Sequence, residues 1–152
     1  MTKQDPDRMI SDAVDAVLET MFFSAVLGPA EPETGGEVLE ALVRFRGRQS
    51  GTLAVCISER SSRLLAASFL GEDEETLTDS QPGQMVRELA NMLCGSLVSK
   101  LGTEESFDLA SPELISSGSN TGLDSIAPPT ARQSFELEGG ILTVTMNLDT
   151  PQ

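Results

Sequence analysis

"EVLEALVRFRGRQSGTLAVCIS", residues 37–58, decides how the rest of the chain is read. In its first half Ala41, Val43 and Phe45 alternate with Leu42, Arg44 and Arg46. In its second half Leu53, Val55 and Ile57 alternate with Thr52, Ala54 and Cys56. A period of two places these sets on opposite sides of an extended chain, and the polar "GRQS" between them suits a turn. The stretch therefore predicts an antiparallel hairpin. A second one closes the chain in "RQSFELEGGILTVTMNLD", residues 132–149: Phe135 and Leu137, a Gly-Gly turn, then Leu142, Val144, Met146 and Leu148 on one face. Hairpins, not alternating strand and helix units, predict an α+β domain: an antiparallel sheet with helices packed on one face.

The segments around the hairpins fill in the order. "RMISDAVDAVLETMFFSAVLG", residues 8–28, spaces Ile10, Val14, Val17, Leu18, Met21 and Ala25 as the buried stripe of a helix, with Ser11 or Asp7 as its cap. Residues 1–7 read as a flexible tail and 8–150 as a single domain. "GPAEPETGG" reads as a loop. "SSRLLAASFLG" is a short helix, capped by Ser61 or Ser62 and ended by Gly71. The acidic "EDEETLTDSQPG" is a solvated connector without the pattern of a calcium loop. A long helix follows over roughly 84–101, then two short strands around Pro112, a Gly/Pro/Ser-rich loop at 119–131, and the closing hairpin. The order is α-β-β-α-α-β-β-β-β.

Composition excludes whole classes of chemistry. The 152 residues carry a net charge of −14 with ten dispersed Lys and Arg, which argues against nucleic acid and anionic membrane as partners. No apolar run reaches the span of about 18 residues that a membrane helix needs. The N-terminus lacks the basic start and apolar core of a signal peptide, so a cytoplasmic address is expected. With no His, Ser-His-Asp and Cys-His nucleophiles are excluded. Cys56 and Cys94 stand apart and read as small buried thiols, so no metal site is expected. No phosphate-binding glycine loop occurs.

The long helix carries the candidate site. In "RELANMLCGSLVSKLG", residues 87–102, Leu89, Ala90, Leu93, Leu97 and Leu101 gather with Val86 on one side. Glu88, Asn91, Gly95, Ser99 and Gly102 gather opposite. Glu88 and Asn91 are i and i+3, hence neighbours. A mid-helix Gly costs about 1 kcal/mol relative to Ala, a cost that makes sense where another backbone must come close. The stripe suits either a shallow docking groove with two functional tips or an ordinary solvated face.

"ELANMLCG" resembles the Glu-x-x-Asn helix of the CheC/CheX/FliY phosphatases of bacterial chemotaxis, most nearly the CheX-like branch. "LETMFF", the first hairpin, "SFLG" and "SPELISSG" fall in the order that branch shows, across most of residues 10–148. The resemblance implies a phosphatase that hydrolyses the aspartyl phosphate of a phosphorylated CheY-like receiver domain. Asn91 would orient the attacking water and Glu88 would pair with the receiver's Lys, with Gln84, Gly95 and Ser99 in the binding face. It implies no cofactor on this chain, Mg²⁺ in the receiver, and a homodimer joined through the sheets, for which the strands around Pro112 and the closing hairpin could supply an edge. Three departures are visible. Gln84 stands where the CheC pattern has Asp or Ser, Pro112 follows Asn91 sooner than that pattern expects, and Glu19 is followed by Phe22 where a second site would need Asn. One active helix per chain is therefore expected. The alternative is a non-catalytic receiver-binding or motility-switch adaptor with the same fold.

Overall fold

The computed structural model describes residues 5–31, 37–47, 50–101, 108–115 and 130–148. Gly102, turn residues 48–49 and loop residues 119–129 lie outside them. The first hairpin forms as expected: β2 (Val38–Arg46) pairs antiparallel with β3 (Gly51–Ser58), with Ala41 opposite Val55 and Val43 opposite Leu53. The closing hairpin is β6 (Ala131–Leu137) and β7 (Gly140–Leu148), and β7 pairs with β3 so that Val55 lies opposite Val144. The short strands around Pro112, β4 (Asp108–Leu109) and β5 (Glu113–Ile115), both pair with β2.

An unexpected strand, β1 (Gly28–Pro29), lies in the stretch read as a loop and pairs with Phe135 and Glu136 of β6. Pro29 has no N–H to donate, a residue suited to the edge strand where it sits. The sheet order is β1-β6-β7-β3-β2-β4, with β5 also on β2. Strand β7 is therefore interior, and of the closing hairpin only β6 lies near an edge, where β1 covers it at Phe135 and Glu136.

One set of alternating strand residues meets the helices. Ala41, Val43, Phe45, Leu53, Val55, Ile57, Leu142, Val144 and Met146 are all buried in one core with α1 (Pro6–Met21), α2 (Glu59–Leu70) and α3 (Gln81–Leu101). Cross-strand apolar pairs on this face are the main source of sheet stability.

Helix boundaries differ from the sequence reading, each for a local reason. Helix α1 begins at Pro6, so Pro6 and Asp7 belong to the helix, not to a tail; Asp5, not Ser11 or Asp7, is the cap and accepts from the Asp7 N–H at 3.1 Å. It stops at Met21, leaving Met21 43% exposed and Ala25 exposed, outside the buried stripe. Phe23 takes φ 51°, a left-handed conformation, and Ser24 N–H closes on the Leu18 carbonyl at 3.0 Å. Helix α2 starts after Ser58; Ser61 and Ser62 lie inside it, donating to the carbonyls of Glu138 at 2.7 Å and Glu59 at 2.6 Å. Gly71 ends α2 at φ 68° as expected. The acidic connector holds a 3₁₀ turn (Glu74–Thr76), and α3 begins at Gln81, with Pro82 in its first turn where no N–H is needed.

The Gly139-Gly140 turn of the closing hairpin seats on the start of α2. Gly139 has φ 88°, and a Cβ there would lie 2.9 Å from the side chains of Arg60 and Leu64. At Gly140 a Cβ would collide with Ser58. Both glycines are required to bring the turn this close.

Candidate functional site

Helix α3 lies across the sheet and touches α1, α2, β2 and β3. Its inner face, Val86, Leu89, Ala90, Leu93, Cys94 and Leu97, is at most 2% exposed. With that face committed to the core, the opposite face is fixed in direction. It presents Gln84, Glu88 and Ser99 as exposed residues and Asn91 and Gly95 as half-exposed ones. The four described members of the stripe, Glu88, Asn91, Gly95 and Ser99, thus share one face, with Gln84 one turn before them. Helical spacing puts the Cβ atoms of i, i+3 and i, i+4 pairs about 5–6 Å apart.

Among the described residues the side chains of Gln84, Glu88 and Asn91 have no hydrogen-bonding or ion-pair partner. They are presented to solvent with donors and acceptors open. Ser99 is different: its hydroxyl donates to the Ser96 carbonyl at 2.8 Å, so it contributes low relief to the face more than a free donor. At Gly95 an added Cβ would meet nothing within 4 Å. No packing among the described residues requires this glycine, so they leave its cost to the helix unexplained.

The corresponding positions of α1 are unlike these. Glu19 is exposed, but Phe22 is fully buried, and its ring lies 5.2 Å from that of Phe69. The Ser68 hydroxyl fixes the Phe22 carbonyl at 2.6 Å. Position 22 is part of the core.

A feature that sequence reasoning missed lies beside the stripe. A pocket of about 510 Å³ opens between α2, the connector and the first turns of α3, lined in part by Leu39, Leu77, Leu114, Arg63, Arg87 and Gln84. These residues come from segments far apart in sequence, and no local periodicity marks them. Among the described residues no cluster of three or more Cys, Asp or Glu could hold a metal ion, and no helix is long and apolar enough to cross a membrane.

This architecture is that of chemotaxis proteins of known structure. The chain superposes on CheX from Vibrio vulnificus with a TM-score of 0.75 at 19% identity, covering 98% of this chain and 100% of that one. It matches the CheX–CheY–BeF₃–Mg²⁺ complex structure from Borrelia burgdorferi with a TM-score of 0.72 at 20% identity, over 97% of this chain and 100% of that one. CheX from Desulfovibrio desulfuricans gives 0.70 at 20% identity, over 93% and 97%. No curated protein sequence matches the chain. The family model described as chemotaxis phosphatase CheX matches residues 39–136. The chain belongs to the CheX family of chemotaxis phosphatases.

Proposed function

We propose that the chain accelerates hydrolysis of the aspartyl phosphate on a CheY-like receiver domain, with the outer face of α3 as its docking and reacting surface. The observation that carries this is the pair Glu88 and Asn91, unpartnered among the described residues, on the face of α3 turned away from the core. A carboxamide both donates and accepts and stays neutral at all ordinary pH. Asn91 can therefore hold a water in line with the phosphorus–oxygen bond to the aspartate. As that water's oxygen bonds to phosphorus, the aspartyl carboxylate leaves with the bonding electrons, and the proton passes to the phosphate product. Phosphoryl transfer of this kind is mostly positioning and charge stabilisation, so an orienting amide suffices where the receiver supplies Mg²⁺ and a Lys. Glu88 pairs with that Lys and sets the register. Gln84 and Ser99 border the contact, and Gly95 lets the receiver backbone approach. A chain that meets its receiver this way works in the cytoplasm.

Two copies are proposed to join edge to edge through β4 and β5, the short strands on the outer side of β2. Light scattering that returns the mass of a monomer at tens of micromolar would remove this.

The test of the catalytic reading is phosphate release from CheY-like receivers phosphorylated with a small donor. Wild type should accelerate release, and Asn91→Ala should lose that acceleration by about 10²-fold or more, the scale of removing one preorganised transition-state contact. Equal release with Asn91→Ala removes Asn91 from the mechanism. A second reading, a receiver-binding adaptor without turnover, draws on Gln84, which stands where the CheC pattern has Asp or Ser. It requires binding with no acceleration.

A further inference from the structure

The pocket beside α3 combines an apolar floor with a rim of mixed charge. Leu39, Leu77 and Leu114 supply the floor, and Arg63 and Arg87 the cations. The whole chain has only ten Lys and Arg against 24 Asp and Glu, whereas this lining balances two guanidinium groups against two carboxylates, so the pocket is a local relief from the protein's negative charge. The acids in the lining are Glu59 and Asp79. Glu59 is engaged: it lies 3.7 Å from Arg63, and its hydrogen bond to Glu37, with its charge, holds the Glu37 carboxyl above the ordinary range. Arg87 is exposed and has no ion pair among the described residues. It stands one residue before Glu88 and one helical turn before Asn91, and Gln84 belongs both to the pocket and to the stripe. The pocket is thus continuous with the face that carries Glu88 and Asn91.

We propose that this pocket is a second docking element for the receiver and takes an acidic segment of it, an apolar stem resting on Leu39, Leu77 and Leu114 and a carboxylate meeting Arg87. This rests on the receiver reading given above. The charge pattern supplies the reason for an acid. A chain at −14 repels an acidic surface at a distance, so such a surface can land only where cations are exposed. A guanidinium offers a planar pair of donors that fits a carboxylate, and a neighbouring apolar floor strengthens that bond by excluding water. Glu88 reading a receiver Lys while Arg87 reads a receiver acid gives adjacent contacts of opposite sign. A shifted or inverted receiver would face like charge at both.

The experiment titrates a CheY-like receiver, activated with beryllofluoride and Mg²⁺, against wild type, Arg87→Gln, Asn91→Ala and Arg132→Gln, then measures kcat and KM for phosphate release. Arg132 is exposed on β6, away from the pocket, and controls for net charge. Arg87→Gln should weaken binding about tenfold, the effect of losing one charge-assisted hydrogen bond, and raise KM while leaving kcat unchanged. Asn91→Ala should do the reverse, and Arg132→Gln should match wild type. Unaltered binding by Arg87→Gln, or equal weakening by Arg132→Gln, overturns the pocket while leaving the receiver reading intact. Failure of wild type to bind any receiver overturns both. Binding without turnover removes only the catalytic reading, and the dissociation constants still decide the pocket.

Discussion

Helices α1 and α3 pack side by side against the same sheet, and each carries a Glu followed three residues later by a decisive side chain. In α3 that residue is Asn91, with ten further helical residues after it and its side chain on the outer face. In α1 it is Phe22, the C-cap, turned into the core against Phe69. Both glutamates are exposed. The two helices part company one turn later: α3 continues past its second residue and holds it outward, whereas α1 ends there and uses the position to close its own core. An exposed Glu on a helix says little by itself. The candidate site depends on where the helix stops.

The strongest way to break this comparison is Phe22→Asn, which writes Glu-x-x-Asn into α1. Truncating a buried aromatic costs about 3–5 kcal/mol, and a buried amide without partners adds to that. A large fall in the urea midpoint is expected, with no recovery of phosphate release when the change is placed on an Asn91→Ala background. Recovered activity would mean that position 22 can reach a receiver, and the contrast between the helices would fail.

A sharper pair is Glu19→Ala against Glu88→Ala. Glu88→Ala should weaken receiver binding about tenfold, as expected for one lost charged contact, whereas Glu19→Ala should leave it unchanged. Equal losses from the two would point to the overall field of the protein, not to docking register. Titration of an activated receiver reads both.

These contrasts also show which parts of the molecule can be read from the chain. The hairpins are legible because large apolar residues of β2, β3 and β7 recur at every second position, although in β3 and β7 the intervening Ala54, Thr143 and Thr145 are buried as well. The outer face of α3 is legible because a strong inner stripe fixes it. The end of α1 is not: Met21 and Ala25 continue the helical period, while the turn is made by Phe23 in a left-handed conformation that a glycine would ordinarily announce. Strand β1 is two residues long and contains Pro, so it leaves no alternation to find. The start of α3 is hidden by Pro82 and Gly83, which look like breakers but occupy the first turn, with Gly83 packed under Leu114. The pocket depends on β2, α2, the connector and β5 meeting, which only the folded topology establishes.

Gly95 offers a smaller effect with two readouts of opposite sign. Nothing among the described residues obstructs a side chain there, so Gly95→Ala should stabilise α3 by about 1 kcal/mol. If the outer face is a docking surface, the same methyl group should weaken receiver binding. Greater stability with unchanged affinity would mean that no partner approaches at Gly95, and the glycine would be left without a physical reason.

Cys94, next to Gly95 in sequence, tests the opposite face with the smallest effect. It is fully buried against the core, and burial pushes its thiol from 9.0 up to about 12. The thiolate is the reactive form, so at pH 8 only about one thiol in 10⁴ would be ionised in the folded chain. On a Cys56→Ala background, a thiol reagent should label Cys94 only as fast as the protein unfolds. The same burial gives a pH dependence of stability. The unfolded chain loses this proton near pH 9, so between about pH 9 and 12 it binds fewer protons than the native state. The thiol's contribution is complete below that window and is lost as pH rises through it, so Cys94→Ala should flatten that part of the stability curve. Rapid labelling of the native chain, or an alkaline limb unchanged by Cys94→Ala, would mean that the inner face of α3 is not seated on the sheet. The outward direction of Glu88 and Asn91, which that seating alone determines, would then lose its basis.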